Sequence, residues 1–186
     1  MKSSITSRLT IAGVLLTTLG LPAAATAQYR LPVLIASARA DSLHDAAVAL
    51  VAAHRWRDAA ALHRRSAELR GAEDPLGFRC LKEAAALAYA TGDRSRARSD
   101  LATAAGHALT RGDLRAAALA YLDAAWIAQE QGNPRQVWEY GHRAEMLADS
   151  PFLGSADRGA IRQRISRAPD AVQLAMRQKP PTYERR

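Results

Sequence analysis

Thr91-Gly92-Asp93-Arg94, Arg111-Gly112-Asp113-Leu114 and Gln131-Gly132-Asn133-Pro134 punctuate the middle of the chain at intervals of twenty residues. Glycine adopts the left-handed backbone conformation just past a helix end without the penalty a Cβ brings, and the adjacent Asp or Asn accepts orphan amide hydrogens of the next helix. Pro134 supplies the fixed φ that suits a first helical position. Each interval therefore holds one helix and one turn. Between the turns, larger apolar residues and alanines recur at helical spacing: Leu81, Ala84, Ala85, Ala88 and Tyr89; Ala97, Leu101, Ala104, Ala105 and Ala108; Leu114, Ala117, Ala118, Tyr121, Leu122, Ala125 and Trp126. Small residues on facing stripes let antiparallel helices approach closely. The pattern predicts helical hairpins stacked side by side.

The same grammar continues on both sides with weaker turns. Leu43, Ala46, Ala47 and Leu50 form one stripe, and Ala59, Leu62 and Ser66 another, joined by His54-Arg55-Trp56-Arg57; Asp74-Pro75 opens the next pair. Helices are expected at residues 41–54, 57–70, 75–91, 94–110, 113–131 and 134–148, then a shorter one at 156–167 and another at 169–177. The composition agrees: of 186 residues 48% are hydrophobic but only 5% aromatic. Alanine, about a fifth of the chain, carries that apolar fraction, and it has the highest helix propensity of all residues. Val, Ile, Phe and Tyr are too few to build a sheet. The reading is an all-α chain with one repeat domain over residues 41–177, an irregular lead-in at 28–40 and a flexible tail at 178–186, where Pro180 and Pro181 bar a helix.

Residues 1–27 have the three parts of an export signal. Lys2 and Arg8 precede an apolar run from Leu9 to Leu21, and Ala25-Thr26-Ala27 follows as a small-x-small cleavage site. The run is shorter than the roughly 20 residues a membrane-spanning helix needs. The expectation is a mature protein beginning at Gln28, periplasmic or secreted, with no stable membrane insertion. Cys80 is the single cysteine, so no intrachain disulfide can form and helix packing must stabilise the fold alone. It reads as a small buried hydrophobe.

Net charge is +8 and almost wholly Arg, with Lys only at positions 2, 82 and 179. Outside the cell nucleic acid is not an expected partner. The basic balance fits either solvated helix faces or weak contact with anionic envelope components. Arg158, Arg162, Arg164 and Arg167 interleave with Ile161 and Ile165 in the 156–167 segment, which reads as a capping helix with a polar outer side.

These residues resemble the tetratricopeptide repeat, over about residues 40 to 150. Leu43, Ala46, Ala47 and Leu50 fall on that family's helix A core places, with Ala59 at the small site of helix B. Leu81, Ala84, Ala85 and Ala88, the Gly92-Asp93 turn, then Ala97, Leu101 and Ala104 repeat the pattern. Tyr121, Ala124, Ala125 and Ala128 precede Gly132-Asn133, after which Val137 and Gly141 depart from it. The unit spacing is nearer forty residues than the family's usual 34. The resemblance implies a short solenoid whose concave groove, lined by the first helix of each pair, binds a protein or peptide partner. Under that register Asp41, His44, Val48 and Val51, then Arg79, Lys82, Glu83, Ala86 and Tyr89, then Leu122, Asp123, Trp126, Gln129 and Glu130 face the groove. The cationic residues would meet an acidic or carboxylate-ended peptide, and Leu122 and Trp126 an apolar side chain. Tyr89 and Trp126 fit a helix–helix core equally well. Ala86 stands where the carboxylate-clamp variety carries Asn.

Enzyme chemistry is not expected. His44, His54, His63, His107 and His142 show no His-Glu-x-x-His spacing and no second cysteine, so no metal site and no cofactor follow from the sequence. Each histidine reads as a helix-surface or helix-end residue. Nucleophile-elbow and phosphate-loop motifs are absent. The reading is a non-enzymatic scaffold or adaptor, with a binder of anionic envelope polymer or membrane surface as the alternative.

Overall fold

The structure, a computed structural model, describes residues 23–168 and 170–177. Its elements are α1 (Ala23–Ala52), α2 (Trp56–Arg70), α3 (Pro75–Ala90), α4 (Arg94–Thr110), α5 (Leu114–Glu130), α6 (Pro134–Ala148), α7 (Ser155–Ser166) and α8 (Asp170–Arg177), with no strand among the described residues. Each of the first six helices packs against the next, giving a helical solenoid. Then α7 folds back on α5, and α8 on α6, so the last pair closes the end.

The punctuating dipeptides act as their chemistry dictates. Gly92, Gly112 and Gly132 have φ of +83°, +72° and +64°. The next residue's amide donates back to the carbonyl five residues earlier: Asp93 to Ala88 (2.9 Å), Asp113 to Ala108 (2.9 Å) and Asn133 to Ala128 (3.0 Å). The side chains of Asp93, Asp113 and Asn133 then accept the amides of Arg96, Ala116 and Gln136, opening the following helices. The first hairpin uses the same turn with a different residue. His54 holds the left-handed position at φ +58°, and Arg55 donates to Leu50 at 2.9 Å.

Residues 28–40, expected to be irregular, are instead part of α1. Ala-rich sequence with no glycine between residues 23 and 52 carries the helix through Pro32, despite the hydrogen bond that a proline removes and the clash of its ring with the preceding turn. Of the expected export signal, residues 1–22 lie outside the described residues, as does the 178–186 tail.

Alanine dominates the interior. On α5, Ala117, Ala118, Ala120, Ala124, Ala125 and Ala128 are buried together with Tyr121, Leu122 and Ile127. At the closing end Val137, Ala144, Ile161, Val172 and Met176 share one apolar cluster with Ala118, Ala120, Tyr121, Leu122, Ala125 and Ala128. Gly141 makes that closure feasible: a Cβ there would overlap the Met176 side chain, with Sδ only 2.8 Å away. The place where the repeat pattern wants a large residue is small because α8 occupies the space. Arg158 of α7 donates to the carbonyls of Ala148, Ser150 and Leu153, tying the new helix to the end of α6.

Candidate functional site

A cavity of about 360 Å³ opens between α3 and α5. Ala85, Ala86 and Tyr89 of α3 form one wall, Asp123, Trp126 and Ile127 of α5 the other, Leu101 of α4 adds apolar lining, and Lys82 and Arg164 contribute cationic groups. Tyr89 and Trp126 remain 40% and 41% exposed, so neither is part of the buried helix–helix core. Both are held in place by one carboxylate. The Tyr89 hydroxyl donates to Glu130 Oε1 at 2.8 Å and Trp126 Nε1 donates to the same oxygen at 3.2 Å, while Arg94 Nε donates to Oε2 at 3.0 Å. These donors hold the Glu130 carboxyl below its ordinary pKa, Tyr89 foremost, and the bond to Glu130 in turn raises the phenol. Arg94 also lies over the Tyr89 ring, 5.6 Å from its centroid. Two aromatic faces on successive odd-numbered helices are thus fixed in orientation while still open to solvent.

Of the residues read as groove-facing, Lys82, Ala86, Tyr89, Asp123 and Trp126 line this cavity together. Leu122, Arg79 and Gln129 do not. Leu122 is only 6% exposed and belongs to the apolar cluster under α7 and α8. The sequence reading left α5 open on its concave side, whereas the returning C-terminal helices cover that part of it. Arg79 lies one turn before Lys82 and pairs with Glu83 at 3.0 Å, away from the cavity. Gln129 is half-buried and does not reach it. Glu130, also read as groove-facing, sits one turn after Trp126 on the same helix face, a spacing that offers the indole N–H an acceptor. Arg164 was missed: it was read as part of a cap's outer face, and its pairing with Asp123 at 2.9 Å joins residues 41 apart, with no local sequence signal.

At the other end of the solenoid a second polar group assembles where α3 meets α1 and α2. His44 of α1, His63 of α2 and Cys80 of α3 bring one donor atom each to within 4.8 Å of one another. His63 is 2% exposed and Cys80 1%, so the expectation of surface or helix-end histidines fails for His63. Burial pushes the His63 pKa down, with Glu83 pulling the other way, and pushes the Cys80 thiol up. Glu83 Oε2 lies 3.3 Å from His63 Nδ1 and 3.7 Å from His44 Nδ1. Motif spacing missed this group because its members come from three helices, and only the stacking of hairpins aligns them.

Among the described residues no helix is long and apolar enough to cross a membrane. No protein-family model matches the chain, and no curated protein or solved structure does either.

Proposed function

We propose that this chain is an exported, non-enzymatic helical-repeat module of tetratricopeptide-like type, acting as a scaffold or adaptor that binds a protein or peptide partner in the groove between α3 and α5. The observation that carries the reading is the pair Tyr89 and Trp126, exposed, oriented by Glu130 and set over a mostly apolar cavity. Oriented aromatics lose little rotamer freedom on binding, which is why such residues anchor interfaces. Lys82 and Arg164 favour an acidic group next to the apolar side chain that fills the cavity. Of these two, Arg164 shares its charge with Asp123, so Lys82 supplies most of the local positive field.

Export rests on the basic start, the short apolar run and the Ala-x-Ala site of residues 1–27. Cleavage after Ala27 leaves α1 to begin at Gln28, and N-terminal sequencing of the mature protein reads that residue directly.

The groove is tested by crosslinking in the exported compartment, comparing the wild type with Trp126→Ala at equal folded concentration. Because Trp126 is rim rather than core, the variant should keep its helicity and melting temperature while partner affinity falls by about 2 kcal/mol or more. Unimpaired capture by the well-folded variant would remove the groove. Added salt separates this reading from polyanion binding: a polyanion complex collapses as the charges are screened, whereas an apolar contact persists. The internal engagement of Arg158, Arg162 and Arg164 with carbonyls, Asp149 and Asp123 favours the groove over a surface polyanion.

A further inference from the structure

We propose that His44, His63, Cys80 and Glu83 form a binding site for a zinc-class divalent cation that joins α1, α2 and α3. The donor set is the first argument. Two imidazoles, one thiol and one carboxylate are the ligand types that Zn²⁺ takes in tetrahedral sites, and Asp or Glu oxygens are poor partners for softer ions that want sulfur alone.

Geometry is the second argument. Tetrahedral coordination with Zn–N and Zn–O bonds of about 2.0–2.2 Å and Zn–S of about 2.3 Å sets donor–donor separations near 3.3–3.6 Å. The structure has 3.3 Å from His63 Nδ1 to Glu83 Oε2, 3.6 Å from His44 Nδ1 to Cys80 Sγ, and 3.7 Å from His44 Nδ1 to Glu83 Oε2. No pair in the His44, His63 and Cys80 set exceeds 4.8 Å, so side-chain rotation closes the remainder.

The third argument is an accounting of buried polar atoms. His63 Nδ1 and Glu83 Oε2 are both buried and neither makes a hydrogen bond, although they face each other at 3.3 Å. Leaving such groups unsatisfied is costly, and native interiors avoid it unless something else occupies the lone pairs. A cation between them satisfies both. One supporting contact is already in place: Arg79 Nε donates to Glu83 Oε1 and leaves Oε2 directed at the histidines. An ion has a way in, because His44 and Glu83 are 25% and 32% exposed at the side chain. On binding, a metal–sulfur bond replaces the Cys80 S–H bond and the proton leaves to solvent.

The test is a titration of the reduced, chelator-stripped protein with Co²⁺ alone, followed by Zn²⁺ in competition. One equivalent of Co²⁺ should produce thiolate-to-cobalt charge-transfer absorption with the intense visible bands of a tetrahedral ion, and Zn²⁺ should abolish both and raise the melting temperature. Cys80→Ser should remove the charge-transfer absorption, and His63→Gln should weaken binding by about 100-fold or more, since even outer-shell changes cost about 10–100-fold. Exposed His142 on α6 provides the control, and His142→Ala should leave the titration unchanged. Should either core variant fail to fold, the half-exposed Glu83→Gln reads the same site: the sulfur band stays while affinity drops at least tenfold. A wild-type titration without tetrahedral cobalt absorption, or with absorption that survives in folded Cys80→Ser, overturns the proposal.

Discussion

The two ends of this solenoid are held by different chemistry. At the N-terminal end buried alanines are joined by specific polar partners: Ser66 donates to a backbone carbonyl of α1, Arg70 pairs with Asp41 and Asp74, Arg64 reaches Asp100, and His63 and Cys80 lie fully inside. At the C-terminal end α5 and α6 meet α7 and α8 through Tyr121, Leu122, Val137, Ile161, Val172 and Met176. One interface depends on each group finding its named partner, and the other on volume. The same stacking of hairpins therefore tolerates different kinds of damage at its two ends, and substitutions can measure that directly.

The largest effect should come from volume at the apolar end. Ala125 is fully buried on α5, and Ala125→Trp forces an indole between helices that approach on alanines, with an expected loss of about 3 kcal/mol in denaturant unfolding. Unchanged stability would mean that α5 is not the packed centre of this half.

At the polar end the larger loss should follow partner removal. Arg64 Nε donates to both oxygens of Asp100, at 3.1 and 2.9 Å. Arg64→Gln leaves a buried carboxylate and should cost about 2 kcal/mol near neutral pH. The pH dependence follows from the sign of the shift. Burial holds the Asp100 pKa above its ordinary value in spite of Arg64. A raised folded-state pKa contributes stability at low pH that is lost as pH rises through that value. Removing Arg64 raises it further. The gap between variant and wild type should thus widen toward neutrality and close in acid once the carboxyl is protonated in both, as paired denaturation curves across that range would show. A gap independent of pH would assign the loss to packing of the arginine stem.

A smaller change of opposite sign is expected at the first turn. His54 occupies the left-handed position that glycine holds in the three later turns. Relieving that strain with His54→Gly should raise stability by about 1 kcal/mol, part of it returned through the more flexible unfolded chain. The smallest effect belongs to the exposed Arg65–Glu68 pair, where Arg65→Ala should move the midpoint by less than about 0.5 kcal/mol. A larger change there would extend the polar-end dependence to the surface.

Much of the fold was legible because its signals are local. Glycine with Asp or Asn at twenty-residue intervals, and alanines at helical spacing, place α3 to α6 within a residue or two of where they lie. The lead-in at 28–40 was read as irregular, whereas α1 runs through it, with no glycine to end the helix before the Ala-rich stretch that follows. The cavity was legible in part: Lys82, Tyr89, Asp123 and Trp126 follow from one helix face per repeat. Leu122 and Arg164 depended on where α7 and α8 return, a tertiary fact with no local trace. His44, His63 and Cys80 stand in the same position, since donors on three helices carry no motif.

The equal spacing of the turns has a consequence for how such a chain can change length. Successive helices run in opposite directions, so losing a single twenty-residue block would reverse every helix downstream and turn the groove wall inside out. Losing or gaining two blocks together keeps direction and leaves the remaining glycine turns in place. Lengthening in this architecture is therefore expected by even steps, inserted ahead of α5, where the new hairpin meets alanine on both sides and the closing helices keep the neighbours they already fit.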